Sequence, residues 1–337
     1  MKRAELIGYS PDECAACRWN CWMLLGRFEE AWRESDGIVA RGSPDPHSFW
    51  DGRSFTGNRV IIRGLHGFGD VIQFSRYARA MWSDAASVTL QTHPQLVSLF
   101  QEMPFLNRVI TWTDKSGSDS SEWDQQIEIM ELPRAFRTTL STIPGDTPYI
   151  SVDRRYVERA RQAIGPATTT RVGLMWEGGD WNPARNVPLV DLLSVLEIPE
   201  VEFYSFQRGP GRRELAQLAI AKPIRDLSGD SPEVVSFAAD LMNMDLLITV
   251  DTMAAHLAGA LGKPVWVLLP YEADWRWMLD RSDSPWYPTM RLFRQRSRQD
   301  WRWPIQEVVR ELEQFAGLGS TGRRPATRHS GAAPFPG

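Results

Sequence analysis

The chain has 337 residues, of which 42% are hydrophobic and 24% charged, as expected for a globular protein with two domains of ordinary size. Its net charge of −4 supplies no basic stripe for nucleic acid, and no run of roughly eighteen apolar residues is available to cross a bilayer. The N-terminus, MKRAELIGYSPDECAACRW, lacks the apolar segment of a secretory signal. We therefore expect no nucleic-acid partner and a cytoplasmic location, with attachment at the inner face of the membrane as an open alternative.

Residues 1–42 predict a helical hairpin made of DECAACRWNCWMLLG and FEEAWRESDGIVARG, which meet at Gly26. Gly26, Phe28 and Ala31, followed by Pro44, resemble the second half of a tetratricopeptide repeat. A single repeat cannot bury its own faces, so the hairpin must pack on the next domain, on a partner protein or on a second copy of the chain. A plain hairpin that caps the N-terminus is the alternative.

The three cysteines, Cys14, Cys17 and Cys21, lie three and four residues apart and share one face of the first predicted helix. A structural zinc site takes four ligands, and this stretch contains no fourth Cys or His. Because a free cysteine packs as a small hydrophobic side chain, we expect a buried stripe rather than a metal site.

Strand-like and helix-like segments alternate after the connection at 41–58, which indicates parallel sheets with crossover helices. The first series contains RVIIRG, a helix at about 70–82, SVTLQT, PQLVSLFQEM, RVITW and, beyond the loop TDKSGSDSSEWD, QQIEIM. The second contains the strands RVGLMWEG, VEFYSFQ, IRDLS, DLLITV and KPVWVLLP, separated by helices, and closes with the helix PIQEVVRELEQFAG. We predict two Rossmann-like doubly wound domains facing a cleft, at 43–155 and 156–317, and a disordered tail at 318–337.

The segment LLITVDTMAAHLAGALGKP starts a helix at the carboxyl end of a buried strand. Asp251 or Thr252 can cap that helix, and the N–H groups of Thr252, Met253 and Ala254 would point to the edge where open α/β sheets bind their ligands. His256 lies one turn further on the same face, within reach of the same anion. The alternative is a well-capped crossover helix with a satisfied histidine.

The segment DTMAAHLAGALGKP also resembles the nucleotide-sugar loop of heptosyltransferase-like glycosyltransferases, which have the GT-B fold. The segments GDVIQFSRY, IPGDTPYI and DWRWMLDRSDSPWYPTMRLFRQ resemble the catalytic part of tetratricopeptide-repeat proteins that carry such a domain at their C-terminus, over about residues 20 to 316. The resemblance implies an inverting, metal-independent transfer of a sugar from an NDP-sugar to a hydroxyl of a glycan, a lipid-linked sugar or a protein, with no resident cofactor. The chain contains no Asp-x-Asp pair, the usual carboxylate clamp for a metal-bound diphosphate.

The same resemblance assigns the donor side to residues 251–256 and to two further loops of the second domain. In MWEGGDWNPARNVPL, Arg185 matches a basic residue that contacts the donor phosphates, and a solvated arginine before a helix is the alternative. Gln207, at the end of VEFYSFQ, is assigned to the neighbourhood of the nucleoside, with satisfaction of its own turn as the alternative.

The turn RGLHGFGDVIQF is assigned to the acceptor side. Its glycines, at 64, 67 and 69, do not have the G-x-G-x-x-G spacing of a dinucleotide site, and no acidic residue follows the next strand. The resemblance implies that Asp70 is the general base, with His66, Gly67, Gly69 and Gln73 around the acceptor. An aspartate in the first turn of a helix is also common for electrostatic reasons alone, which is the rival explanation.

The aromatic run YEADWRWMLDRSDSPWYPTMRLFRQ is typical of a buried connection between layers, with Asp274 and Trp275 as the expected exceptions that reach the cleft. Two other functions stay open. One is a catalytically silent interaction module that combines a helical repeat with a GT-B domain. The other is an NDP-sugar epimerase, although such enzymes use several carboxylates and histidines and this chain has only 5 His.

Overall fold

The computed structural model describes residues 8–42, 48–112, 120–179, 182–217, 223–229 and 233–317. In these segments a helical hairpin precedes two α/β units, each built on a parallel sheet. The predicted tail at 318–337 lies outside the described residues. None of the helices described is both long enough and apolar enough to span a membrane.

The hairpin consists of α1 (Pro11–Leu24) and α2 (Phe28–Ala40). The first α/β unit contains, in chain order, β1 (Arg59–Arg63), α3 (Phe68–Phe74), α4 (Tyr77–Trp82), β2 (Ser87–Thr92), α5 (Val97–Phe100), β3 (Arg108–Thr111), β4 (Gln125–Glu128) and α6 (Leu132–Ala135).

The second α/β unit contains α7 (Arg154–Ile164), β5 (Thr170–Met175), α8 (Leu193–Leu196), β6 (Val201–Ser205), α9 (Pro210–Gln217), β7 (Arg225–Asp226), α10 (Val234–Met242), β8 (Leu246–Val250), α11 (Met253–Ala260), β9 (Val265–Leu269), β10 (Met290–Arg294) and α12 (Arg302–Phe315).

Strand order creates a topological switch point in each sheet. The first sheet has four parallel strands in the order β3-β2-β1-β4, and the second has six in the order β10-β9-β8-β5-β6-β7. The order reverses between β1 and β4 in the first sheet and between β5 and β8 in the second. Open α/β sheets bind ligands outside the carboxyl ends of the strands at such points. The predicted doubly wound architecture is confirmed.

The helix predicted at 70–82 is instead two shorter helices, α3 and α4, with a break at Ser75 and Arg76. The buried Arg76 side chain donates from Nε to the carbonyl of Gln73 at 2.7 Å. A continuous helix would use that carbonyl for the N–H of Tyr77. A side-chain donor therefore replaces one backbone bond at the break.

The aromatic run ends in a strand that the sequence did not predict. Trp277, Trp286 and Tyr287 are buried, as predicted, but Met290–Arg294 forms β10 and pairs in parallel with β9 at the edge of the second sheet. The strand is short and lies at the end of the aromatic run, so the sequence contains no separate boundary for it.

The hairpin packs on both α/β units. Phe28 stacks on Trp286 with ring centroids 6.0 Å apart, and Trp32 donates from Nε1 to the carbonyl of Thr138 at 2.7 Å. Met23, Phe28 and Trp32 belong to one core cluster together with residues from both sheets. The apolar face that a single helical pair cannot bury alone is thus covered by the chain that follows it.

The predicted cysteine stripe is wrong for two of its three members. Cys14 is buried, but Cys17 and Cys21 are exposed. Helix α1 instead turns Trp19 and Trp22 toward the core. Burying an indole removes far more apolar surface from water than burying a thiol, so the tryptophans determine which face packs.

Candidate functional site

The turns at the two switch points face each other and enclose a cavity of about 550 Å³. The first sheet contributes the turn after β1, and the second contributes the turns after β5 and β8 and the segment after β9. The lining includes ten residues that the sequence analysis singled out, namely His66, Gly67, Gly69, Asp70, Arg185, Asp251, Thr252, Met253, His256 and Asp274.

Helix α11 begins at this cavity, directly after the fully buried strand β8. Thr252 is its N-cap, because Thr252 Oγ1 accepts from the backbone N–H of Ala254 at 3.2 Å. Of the two capping residues that the sequence allowed, the structure therefore selects the threonine over Asp251. Thr252 and Met253 line the cavity, so the positive end of the helix dipole lies at its wall.

Asp251 is a buried carboxylate that lines the cavity from the turn after β8, only 9% exposed. Burial raises its pKa to about 6, and repulsion from Asp274 acts in the same direction, while Arg276 and Arg185 oppose it. The cavity lining thus contains three aspartates, the third being Asp70, against the two guanidinium groups. The lining therefore carries one more carboxyl group than guanidinium groups.

Arg185 is held against the turn after β8. It ends the 3-10 turn Pro183–Arg185, donates from Nη1 to the carbonyl of Asp251 at 2.7 Å and from Nη2 to that of Gly179 at 3.2 Å. Arg185 is buried, and this burial lowers the pKa of its guanidinium group. The alternative of a solvated arginine is therefore wrong: the side chain bridges two turns at the carboxyl edge of the sheet.

His256 is a buried, neutral imidazole at the boundary between the two α/β units. Its Nδ1 lies 3.0 Å from Tyr287 Oη, and its ring stacks on Trp277 with centroids 5.3 Å apart. Burial and the nearby guanidinium of Arg276 hold its pKa well below the ordinary value. A Cβ atom on Gly69 would lie 2.9 Å from His256 Cδ2, so this glycine lets α3 approach α11 closely.

Asp70 faces the cavity from the first turn of α3, with 24% of its side chain exposed. Its Oδ2 accepts from the backbone N–H of Gly67 at 3.0 Å, and its Oδ1 forms an ion pair with Arg276 Nη2. The position in the first helical turn that the rival explanation invokes is therefore confirmed, and the same carboxylate also lines the cavity.

His66 forms a pair with a carboxylate at the end of the neighbouring strand. Its Nδ1 lies 2.9 Å from Oε1 of Glu128, the last residue of β4, which is almost fully buried. The hydrogen bond to Glu128 raises the pKa of His66, although burial works against it. Sequence reasoning missed Glu128, which comes to the site only because β1 and β4 are neighbours in the sheet.

Arg276 is the second site residue that the sequence analysis missed. It lies between Trp275 and Trp277, lines the cavity and contacts Asp70, 206 positions away in the chain. The available signal was a charged residue in the middle of a buried aromatic run, since a buried arginine needs partners.

Four predicted contact residues do not line the cavity. Ala254 is buried, and its backbone N–H donates to Thr252 Oγ1 at 3.2 Å. Gln73 is buried, and its Oε1 accepts from Arg276 Nε at 2.8 Å, so it supports the site from behind. The side-chain amide of Gln207 is hydrogen-bonded to the backbone: its Oε1 accepts from the N–H of Trp176 and of Glu177, both at 2.9 Å. Trp275 packs against Trp19, 5.5 Å between centroids, rather than reaching the cleft. The local alternative for Gln207, satisfaction of its turn, is the one the structure supports.

No group of three or more His, Cys, Asp or Glu side chains suited to holding a metal ion is found among the described residues.

Comparisons with known proteins agree with this architecture. No protein-family model matches the chain. Protein FlbA from Caulobacter vibrioides is 25% identical over 344 residues, an alignment that covers 91% of this chain and 56% of FlbA. The chain thus spans about half the length of this curated relative.

Two solved structures have a similar fold. The family 9 glycosyl transferase from Veillonella parvula DSM 2008 has a TM-score of 0.56 at 12% identity, covering 77% of this chain and 92% of that one. The E. coli ADP-heptose lps heptosyltransferase II has a TM-score of 0.55 at 14% identity, covering 77% of this chain and 99% of that one. The predicted GT-B fold is confirmed.

Proposed function

We propose that the chain is a glycosyltransferase that moves a sugar from an NDP-sugar to a hydroxyl acceptor, with inversion and without a metal or a resident cofactor. One observation carries the proposal: a single cavity is lined both by the Asp70 carboxylate of the first α/β unit and by the first turn of α11 in the second. A base and an anion-binding helix terminus in the same cavity suit the transfer of a group from a phosphate leaving group to a hydroxyl.

The donor diphosphate would bind at the first turn of α11, near Thr252, Met253 and Ala254, with Arg185 as its cationic partner. The helix terminus contributes about 0.3 to 2 kcal/mol, and charge-assisted hydrogen bonds contribute more than neutral ones. His256, being neutral, would act as a hydrogen-bond donor rather than as a cation. The negative charge of Asp251 opposes a diphosphate, so donor binding would favour its protonated form.

A second cavity of about 180 Å³ adjoins the donor side and suits a nucleoside. It shares Met175 and Met253 with the main cavity, and Phe206 and Phe237 form an aromatic wall. Flat apolar surfaces of this kind pack well against a nucleobase. Gln207 would serve the donor indirectly by bracing the turn after β5.

At the acceptor side, Asp70 would act as the general base. The acceptor O–H proton moves to a carboxylate oxygen while the acceptor oxygen bonds to the anomeric carbon, and the bond from that carbon to the diphosphate breaks. His66, Gly67 and Gly69 would surround the acceptor, and Gln73 would support them from behind. A groove of about 260 Å³ meets the cavity at His66 and Met130 and offers an approach for a glycan, a lipid-linked sugar or a protein.

The wider setting is part of the proposal. We assign the chain to the cytoplasm, either free or attached to the inner face of the membrane, with no nucleic-acid partner. The hairpin of α1 and α2 keeps exposed apolar side chains, Leu25 and Val39, that are available for contact with a protein or a second copy of the chain.

Incubation with labelled NDP-sugars tests the proposal, after a thermal-shift screen over ADP-, GDP-, UDP-, TDP- and CMP-sugars has selected the donor. Transfer, or slow hydrolysis of the donor, supports a glycosyltransferase. Interconversion of the donor sugar would instead identify an epimerase. Neither binding nor turnover would leave the catalytically silent interaction module as the function.

A further inference from the structure

Arg276 joins the two α/β units at the floor of the cavity. It lies in the 3-10 turn Trp275–Trp277, which Asp274 caps by accepting the N–H of Arg276 at 3.0 Å. Only 10% of its side chain is exposed, yet that part lines the cavity. A buried arginine in such a position needs a full set of partners.

The guanidinium group has partners in three directions. Its Nε donates to Gln73 Oε1 at 2.8 Å, its Nη1 donates to Asp274 Oδ1 at 2.9 Å, and its Nη2 donates to Asp70 Oδ1. The first and third partners belong to α3, and the second belongs to the segment after β9. Three fixed acceptors determine both the position and the plane of a guanidinium fork.

Aromatic rings hold the faces of the same group. The guanidinium carbon lies 4.7 Å from the centroid of Trp275 and 5.6 Å from that of Phe74. Both residues are buried in the core cluster. Cation–π contacts of this kind restrict the side chain further. The Arg276 side chain therefore loses little conformational entropy when it pairs with Asp70.

The charges around Arg276 favour its cationic form. Burial works to lower its pKa, but the carboxylates of Asp274 and Asp70 outweigh burial, and the pKa is raised above its ordinary value. Arg276 and, from its own turn, His66 are ionisable groups near Asp70, and Asp251, Asp274, Arg185 and His256 line the same cavity. Of these, Arg276 contacts the carboxylate directly.

We infer that Arg276 is the positioning residue of the Asp70 carboxylate, and that Asp274 and Gln73 hold it in that role. Arg276 occupies one site on Oδ1, and the N–H of Gly67 occupies one on Oδ2. Each carboxylate oxygen has about two acceptor sites, so one on each oxygen is left for the acceptor hydroxyl. The inference rests on the proposed function, in which Asp70 takes the proton of that hydroxyl while the anomeric carbon changes its bond from the diphosphate to the acceptor oxygen.

Kinetics of Arg276→Ala and Arg276→Lys test the inference, with Arg281→Gln as the matched control, since Arg281 pairs with Asp283 outside the cavity. We expect Arg276→Ala to lower the transfer kcat by about 100-fold through loss of orientation, with donor affinity preserved. Its KM for the acceptor should change little, because the loss falls on the orientation of the base rather than on binding. Arg276→Lys should keep part of the rate, because it retains the charge but not the planar fork.

Chemical rescue distinguishes two roles for Arg276: orienting the Asp70 carboxylate, or only holding the two α/β units together. Millimolar guanidinium ion should restore part of the Arg276→Ala rate, whereas urea, which has the same shape but no charge, should not. A fall in rate with no selective rescue by guanidinium would overturn the inference, and so would a fully active Arg276→Lys variant.

An activity-independent measurement distinguishes failure of this inference from failure of the proposed function. In protein labelled with ¹³C at the aspartate carboxyl groups, the Asp70 resonance is assigned by its loss in Asp70→Asn. Its chemical shift should change in Arg276→Ala, or in Arg276→Gln if the alanine variant does not fold, because the carboxylate loses its guanidinium partner. An unmoved Asp70 resonance would overturn the positioning role even if transfer is observed, and a moved one would support it even if no donor is found.

Discussion

The turns after β1 and β8 have the same strand-Asp-helix arrangement, but their aspartates differ in burial and in bonding partners. Each follows a central parallel strand, carries an aspartate and starts a helix that lines the cavity. Asp70 is ion-paired with Arg276 and keeps 24% of its side chain exposed. Asp251 is 9% exposed, and its backbone carbonyl receives the Arg185 guanidinium.

This difference shows that burial and partners, rather than the strand-Asp-helix pattern, determine what each aspartate can do. A partly exposed, oriented carboxylate can accept a proton from a substrate. A buried carboxylate whose pKa is raised to about 6 costs stability while it is charged. The two turns therefore make separable predictions.

The largest expected effect is on transfer in Asp70→Asn. Loss of a positioned general base should lower kcat by about 100- to 10,000-fold. Donor affinity should stay within about threefold, because the donor side of the cavity is untouched. Initial-rate kinetics and calorimetric donor titration measure the two quantities, with Asp146→Asn at an exposed surface ion pair as the control. A near-normal transfer rate would remove Asp70 from the chemistry.

Asp251→Asn should make the protein more stable. The folded-state pKa is raised from 3.8 to about 6, so the penalty is fully present above pH 6 and is relieved as the pH falls through 6 toward 3.8. At pH 8 it amounts to about 3 kcal/mol, and at pH 5 to about half of that. Urea unfolding of the variant and the wild type at both pH values measures the gain, and an equal gain at the two would contradict the assignment.

Arg185→Gln should weaken donor binding by about 10- to 100-fold, the range expected for loss of a charge-assisted hydrogen bond. Arg185→Lys should recover part of the affinity, because it keeps the charge but not the fork. Equilibrium titration with the donor found by screening gives the dissociation constants. Arg155→Gln, at an exposed ion pair with Asp153, is the control. An unchanged constant in Arg185→Gln would refute the phosphate contact.

Glu128→Gln gives the smallest expected effect. Glu128 raises the pKa of His66 through their hydrogen bond, so the variant should lower it. The stability that the pair contributes is fully present below pH 6.5 and is lost as the pH rises through the raised pKa. Because 42% of the His66 side chain is exposed, the contribution should stay below about 1 kcal/mol. Titration of the His66 ring protons by NMR measures the shift, and an unmoved pKa would contradict the pairing.

The sequence predicted the fold well because its signals are local. Buried runs such as LLITV and VWVLL, each followed or preceded by capping and glycine residues, define strands of a parallel sheet without reference to distant residues. The same local signals located Asp70 and Thr252, each at the start of a helix. The break between α3 and α4 was missed because it depends on where the Arg76 side chain goes once it is buried.

The site residues that the sequence analysis missed are those that only the tertiary structure brings close to Asp70 and His66. Arg276 meets Asp70 because the segment after β9 crosses to the other α/β unit, and Glu128 meets His66 because β4 pairs with β1. Gln73 and Gln207 were misassigned for the opposite reason. Their positions in the chain are correct for a ligand contact, but their amide groups are used by Arg276 and by backbone groups.

The central claim is that the turn after β8 binds the donor and the turn after β1 serves the acceptor. Hydrogen exchange with and without the NDP-sugar tests this claim most directly. The account predicts that donor alone slows exchange in a peptide that covers residues 252–256 and leaves a peptide that covers 64–70 unchanged until the acceptor is added. Protection by donor confined to 64–70, with residues 252–256 unaffected, would contradict it.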